Sequence, residues 1–292
     1  MFRRHTVLAL VLLLGVWAVV AAVEKPDVKP DVKPLRLGCV AFAKESSAEA
    51  YRQVQAYLAG EVGREIVLTV YPNYHDVIAD LVNDQLELAV LPPLVYLNAR
   101  RQRPLDTLAF GVYAATGNFS YRSLVLVPRG SPAKTLADLA GRRLAFVDIM
   151  SASGYVLPKA ALVQAGVRDK RDVKGKFYDN HIDAVRAVLR GDADGVATYD
   201  MIYSDSSELA ARKAELRTLW TGDHVIPSDA VVATGAVPSV EQKRIRTALL
   251  SYYAAQQKQG AQKNAMYEGF VPADPNLYSD LERFLKAITA EK

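Results

Sequence analysis

Residues 144–166 read LAFVDIMSASGYVLPKAALVQAG. An apolar run ends at Asp148, small residues follow at Ser151-Ala152-Ser153-Gly154, and apolar side chains then recur as far as Ala165. The pattern predicts a strand over Leu144–Asp148 and a helix over Ser153–Ala165, joined by a short loop. The first N–H groups of a helix have no partner inside it and sit at the positive end of its dipole, so this junction suits an oxyanion. Gly154 lets the backbone come close to a guest. Ser151 or Ser153 can equally serve as an ordinary helix cap. No Gly-Lys-Ser/Thr follows, so this is not a nucleotide P-loop.

The same strand–helix alternation extends in both directions. Upstream, strands are expected at Leu35–Val40, Glu65–Tyr71, Leu86–Leu91, Leu105–Ala114 and Tyr121–Pro128. Helices are expected after a Ser46 or Ser47 cap with Ala50, Val54, Tyr57 and Leu58 on one face, over 74–84 with Val77, Ile78, Leu81 and Val82 on one stripe, and after Pro92-Pro93. Downstream, His181–Leu189, Met201–Arg212, Val240–Lys258 and Leu277–Ala290 read as helices. Phe177-Tyr178, Gly195–Thr198, Leu216–Trp220 and Ala230–Thr234 read as strands. Alternation of this kind predicts parallel sheets covered on both faces. The blocks 35–120 and 121–225 each hold enough elements for one sheet. If the closing segment 226–292 returns to the first block, the chain crosses twice and leaves a cleft between two lobes. A tandem pair of domains is the other arrangement. Ligands of open α/β sheets bind beyond the carboxyl ends of the strands.

Further candidates flank the central loop. His181 opens a helix after a weak strand and could donate to an anion, or simply cap the surface. Tyr74 and His75 open one helix and Tyr96 lies in the next; tyrosine hydroxyls suit ligand oxygens, and core packing is the alternative. Asp192 and Asp194 follow Gly191 in a turn and read as solvated. Cys39 ends the first strand, either as a small buried hydrophobe or as a thiolate for a soft ligand.

Composition narrows the classes. The 292 residues are 50% apolar and 23% charged, which argues against disorder for the bulk of the chain. A single cysteine forbids a disulfide framework, and one Cys with four His makes a structural zinc site unsupported. Net charge is +4 with no basic stripe, which argues against nucleic acid. No metal or cofactor is implied. Residues 1–22 carry Arg3 and Arg4, an apolar run and Ala21-Ala22, the pattern of an export signal peptide or of an uncleaved anchor. Residues 23–34, VEKPDVKPDVKP, form a Pro-rich linker.

Taken in order, the segments Tyr74–Tyr96, 144–166, His181–Asp194 and Ile226-Pro227-Ser228-Asp229 resemble the periplasmic substrate-binding proteins of phosphate, phosphite and phosphonate ABC transporters. The resemblance implies a type II, two-lobed α/β fold. Its mixed sheets are flanked by helices, with a hinge and an interlobe cleft. Lobe 1 would comprise 35–120 plus 226–292, and lobe 2 would comprise 121–225. It implies that Ser151, Ser153 and Gly154 cradle the oxyanion. Tyr74, Tyr96 and His181 would donate from both lobes, and Asp229 would stand at the cleft edge. Ala152 departs from the family loop, which has threonine there; the lost hydroxyl is worth about 0.5–1.5 kcal/mol.

The expected function is capture of a small oxyanion in the periplasm for an ABC-transporter permease in the inner membrane. A membrane-tethered sensor of an oxyanion or arsenite, acting with a partner kinase, is the alternative. No nucleophile elbow, zinc-protease motif or carboxylate pair points to an enzyme.

Overall fold

Leu88, Ala89, Val90 and Leu91 are all buried, as four apolar residues in the middle of a sheet must be. They form β3 (Leu88–Leu91), which lies between β1 (Leu35–Val40) and β10 (Ala230–Ala233). The structure is a computed structural model that describes residues 33–40, 45–167, 173–259, 266–274 and 276–290. The signal peptide or anchor expected at 1–22, and the linker up to residue 32, lie outside the described residues.

The first sheet is completed by β2 (Ile66–Tyr71), β4 (Asp106–Tyr113) and β11 (Tyr267–Pro272), in the order β11-β4-β10-β3-β1-β2. β1 runs parallel to β2 and β3, whereas β10 is antiparallel to β3 and β4, and β11 is antiparallel to β4. Helix α1 (Glu45–Val62) buries Tyr51, Val54 and Leu58. Helix α2 (Tyr74–Val82) buries Val77, Ile78 and Leu81, the i, i+1, i+4 stripe read from the sequence. Helix α3 (Pro93–Gln102) starts at Pro93, where the missing N–H costs nothing.

The second sheet has the order β7-β6-β8-β5-β9, from β5 (Ser120–Pro128), β6 (Arg142–Phe146), β7 (Val173–Phe177), β8 (Gly195–Tyr199) and β9 (Leu216–Pro227). β6 is parallel to β7 and β8; β5 is antiparallel to β8 and β9. Helices α4 (Leu157–Gln164), α5 (His181–Leu189) and the short α6 (Ser207–Ala211) belong to this part of the chain. Helix α7 (Ser239–Gln259) packs on α1 and β11, and α8 (Ser279–Ala290) packs against β9. The two stretches that pass between the sheets touch: the Ser228 amide donates to the Phe119 carbonyl at 2.9 Å.

Three expectations need correction. The sheets are mixed, as the resemblance implied, and not parallel, as strand–helix alternation alone predicted, because β5 and β10 are entered directly from the other sheet and run back against their neighbours. The strand expected at Leu216–Trp220 continues to Pro227. Its polar Thr221-Gly222-Asp223 stretch is tolerated at a sheet edge, where Arg122 Nη1 donates to the carbonyls of Gly222 and Asp223 at 2.9 Å each. The helix expected at Met201–Arg212 shrinks to Ser207–Ala211, because Ser206 caps it by accepting from the Leu209 amide, leaving residues 200–205 as turns.

Candidate functional site

After β6 the chain turns through Val147–Ser151 into one π-helical turn, Ala152–Val156, which continues as α4. Such wide turns are frequent at functional sites. Ser151 caps it: its Oγ accepts from the Gly154 amide at 3.0 Å, and its carbonyl accepts from the amides of Tyr155 and Val156 at 3.1 and 3.0 Å. The amides of Ala152 and Ser153 belong to the opening turn, where no carbonyl of the helix itself can take them. Ser123 Oγ anchors the turn by donating to the Ser153 carbonyl at 2.8 Å.

Gly154 has a packing role. A Cβ there would lie 2.5 Å from Val147 Cγ2 and 2.8 Å from Ser151 Oγ. Its amide is spent inside the turn and the residue is not part of the cavity wall, which corrects the expectation that it cradles the guest.

The turn opens on a cavity of about 550 Å³ whose walls come from both sheets. Ser151, Ser153, His181, Tyr74 and Asp229, all read from the sequence, line it together. Tyr74, at the start of α2, turns its hydroxyl towards Ser151, and Tyr121 faces Ser153. His181 opens α5 after the cap Asn180. Its Nδ1 lies 3.1 Å from Thr198 Oγ1, and its ring meets Tyr199 edge-on at 4.6 Å between centroids. Burial lowers its pKa to about 3, so the imidazole is neutral near neutral pH.

Asp229 is 3% exposed, so it forms part of the buried wall rather than the cleft edge. Tyr267 donates its hydroxyl to Asp229, and Tyr113 stands beside the same carboxyl. Burial still pushes that carboxyl up to about 6, the two hydroxyls offsetting only part of the cost.

Tyr96 is absent from this wall. Its hydroxyl lies 2.9 Å from Thr107 Oγ1 and accepts from Arg100 Nη1 at 3.0 Å, and its ring packs on Tyr278. Tyr96 therefore braces α3 against β4, and the expectation that it donates to the guest is corrected. Cys39 is fully buried and also lies outside the wall; burial raises its thiol pKa, which removes the thiolate that a soft ligand needs.

Sequence reasoning missed Glu49, Tyr113, Tyr121, Tyr199 and Asp205, which also line the cavity. The strand-terminal tyrosines carried a usable signal, since Tyr113 and Tyr199 end β4 and β8, at the strand ends where such sheets bind ligands. Asp205 carried none, because the segment around it read as helix.

A sequence profile of the periplasmic substrate-binding proteins of phosphonate ABC transporters matches residues 39–278. The chain belongs to this family. The phosphate-import protein PhnD of Mycolicibacterium smegmatis is 24% identical over 213 residues, which cover 67% of this chain and 65% of that protein's length. Two solved structures share the fold. A binding-protein component of a phosphonate ABC transporter from Pseudomonas aeruginosa superposes with a TM-score of 0.76 at 17% identity, covering 86% of this chain and 85% of that one. PhnD1 of Prochlorococcus marinus, solved with methylphosphonate, gives 0.74 at 17% identity over 91% and 99%. The fold is thus the two-lobed α/β architecture of type II periplasmic binding proteins, two mixed sheets flanked by helices. The family is one of transport components rather than an enzyme class, and its members are periplasmic. Among the described residues, no helix is long and apolar enough to cross a membrane.

Proposed function

We propose that this protein captures a small phosphorus oxyanion (a phosphonate, phosphite or phosphate) in the periplasm and delivers it to the permease of an ABC transporter, without chemical change. The observation that carries the reading is the meeting, in one cavity, of the Ser151–Ser153 turn and His181 from the second sheet with Tyr74 and Asp229 from the first. The turn offers the amides of its opening residues and the serine hydroxyls, and the neutral imidazole offers one more polar nitrogen. Membership of a phosphonate-transport family supports the guest class.

Residues 35–120 with 226–292 act as one lobe and 121–225 as the other, in keeping with the strands each sheet contains. The two crossings near Phe119 and Ser228 serve as the hinge. Residues 1–22 export the chain as a signal peptide or hold it at the inner membrane.

A thermal-shift and calorimetry series with phosphate, phosphite, methylphosphonate, aminoethylphosphonate, sulfate and arsenite tests this. A true guest at 100 times its Kd adds about 2.7 kcal/mol of stability. Ser153→Ala combined with His181→Ala weakens its binding at least tenfold, as loss of anion hydrogen bonds costs about 1.5–3 kcal/mol each. Unchanged affinity in that double variant overturns the site.

A further inference from the structure

The chain has four methionines, and apart from Met1 all of them, Met150, Met201 and Met266, line the cavity. They reach it from different strands. Met150 stands between β6 and the Ser151–Ser153 turn, where its amide donates to Asp148 Oδ1 at 2.7 Å. Met201 follows β8 and is 5% exposed, whereas Met266 precedes β11 and is half-buried, as Met150 is. Met201 and Met266 both meet the turn after β4. Thr116 Oγ1 donates to Met201 Sδ at 3.8 Å, and the Ala114 amide donates to the Met266 carbonyl at 2.9 Å. The first of these contacts passes from the end of a second-sheet strand to the end of a first-sheet strand.

Among the described residues, the remaining sulfur is out of reach. Cys39, the single cysteine, is fully buried and outside the cavity wall, and burial keeps its thiol protonated. An accessible thiolate is the sulfur an oxidant attacks first. Here a dissolved oxidant meets thioether sulfur instead, and meets it in the guest's own cavity. Oxidation turns a flexible apolar thioether into a polar sulfoxide. The new oxygen is the negative end of the S–O dipole and accepts hydrogen bonds. The charged side chains of the wall are Glu49, Asp205 and Asp229, so no cation there among the described residues offsets further negative charge beside an oxyanion. Met150 is bonded to Ser151 itself, which puts one such oxygen beside the oxyanion turn.

We propose that Met150, Met201 and Met266 are an oxidation site that governs capture: a peroxide-class oxidant entering the guest-free cavity converts their thioethers to sulfoxides, and binding is lost until a dithiol-fed sulfoxide reductase restores them. The inference rests on the oxyanion reading above. In each event the sulfur lone pair attacks a peroxide oxygen, and an S–O bond forms as the O–O bond breaks. The proton on the transferred oxygen passes to the departing one, which leaves as water or an alcohol. Sulfur gives up two electrons and the peroxide receives them; the dithiol later returns two electrons and the oxygen leaves as water.

The test treats the full chain with hydrogen peroxide and reads the same samples in three ways. Peptide mass spectrometry locates each added oxygen, calorimetry with phosphate, phosphite and methylphosphonate measures capture, and methionine sulfoxide reductase with dithiothreitol tests reversal. Oxygen is expected at Met150 and Met266 first and at Met201 later, and more slowly at each when the best-binding oxyanion is present. The oxidised protein should bind that oxyanion at least about tenfold more weakly, and the reductase should restore the affinity. A variant with Met150→Leu, Met201→Leu and Met266→Leu keeps apolar bulk without sulfur. Its affinity after peroxide should stay within a factor of about two of its own affinity before. Unchanged affinity in the fully oxidised wild type overturns the proposal, as does an equal loss in the leucine variant or a loss that the reductase leaves in place. Methionines that resist peroxide in the native protein but react in the urea-unfolded chain overturn it too. Should the leucine variant fail to fold, reversal in the wild type decides alone. An untreated protein that binds no oxyanion overturns the oxyanion reading itself, whereas an oxidised one that still binds overturns only the role of the methionines.

Discussion

Nδ1 of His181 stands 3.1 Å from Oγ1 of Thr198, inside a wall that leaves the imidazole 4% exposed. The folded ring resists protonation down to about pH 3, against an ordinary value of 6.5. Between those two values the unfolded chain takes up a proton that the folded chain refuses. The contribution of His181 to stability is thus lost as pH falls through 6.5, by up to about 1.4 kcal/mol per pH unit. His181→Asn should flatten the decline in Tm between about pH 6.5 and about pH 4 relative to wild type. Parallel melting profiles for the two proteins would count against a buried neutral imidazole.

Asp229 has the opposite sign. Its folded carboxyl is raised from 3.8 to about 6, so ionising it costs more in the folded protein than in the unfolded chain. The penalty is fully present above about pH 6 and vanishes below 3.8. Asp229→Asn keeps an acceptor for the Tyr267 hydroxyl and should raise Tm of the ligand-free protein at about pH 8, with no advantage left near pH 4. Thermal melts at both pH values decide it; a gain of equal size at both refutes the assignment.

Gly154 and Val147 form a packed pair, so Gly154→Ala should cost about 1–3 kcal/mol by overpacking. Removing the Val147 methyl groups in the same chain, as Gly154→Ala with Val147→Ala, takes away the nearest clashing atom, Cγ2, and leaves the contacts with Val147 Cβ and Ser151 Oγ. Chemical denaturation should show the double variant losing less than the sum of the two single ones. Strict additivity would mean the two side chains do not meet.

Tyr96 tests the boundary of the site. Tyr96→Phe deletes the bonds to Thr107 and Arg100, which should lower stability by about 1 kcal/mol and leave ligand affinity within a factor of about two. Parallel calorimetry of Ser153→Ala should show the reverse, a weaker complex with little loss in Tm. A large affinity loss in Tyr96→Phe would return that hydroxyl to the guest.

The fold was legible wherever periodicity carried it. Apolar runs gave β1 and β3, the stripe Val77, Ile78, Leu81 gave α2, and the apolar spacing of Ile182, Val185 and Leu189 gave α5. β11 escaped because Gly269 breaks its apolar pattern. It is recognisable only in three dimensions, where the Tyr267 ring covers Gly111 so closely that a Cβ there would lie 2.4 Å from Tyr267 Cε1. Within the site, the loop–helix junction at Ser151–Ser153 and the helix-opening His181 announced themselves through local chemistry. Asp205 and Tyr121 did not, and Tyr113 and Tyr199 offered only their place at strand ends, since the wall they share depends on strands far apart in the chain. Tyr96 misled for the same reason: being near a helix start says nothing about which side of the helix a hydroxyl will serve.

The two passages between the sheets are bonded to each other, Ser228 to Phe119, with Ser120 opposite Pro227 in register. A pair of fastened rails bends readily but resists swivelling. If these crossings act as the proposed hinge, opening is confined to one axis, like the spine of a book, and each closure brings the same edges of the two halves face to face. On the proposed transport reading, the permease would then read whether the pages are shut from the spacing of two fixed points, without ever touching what is held between them.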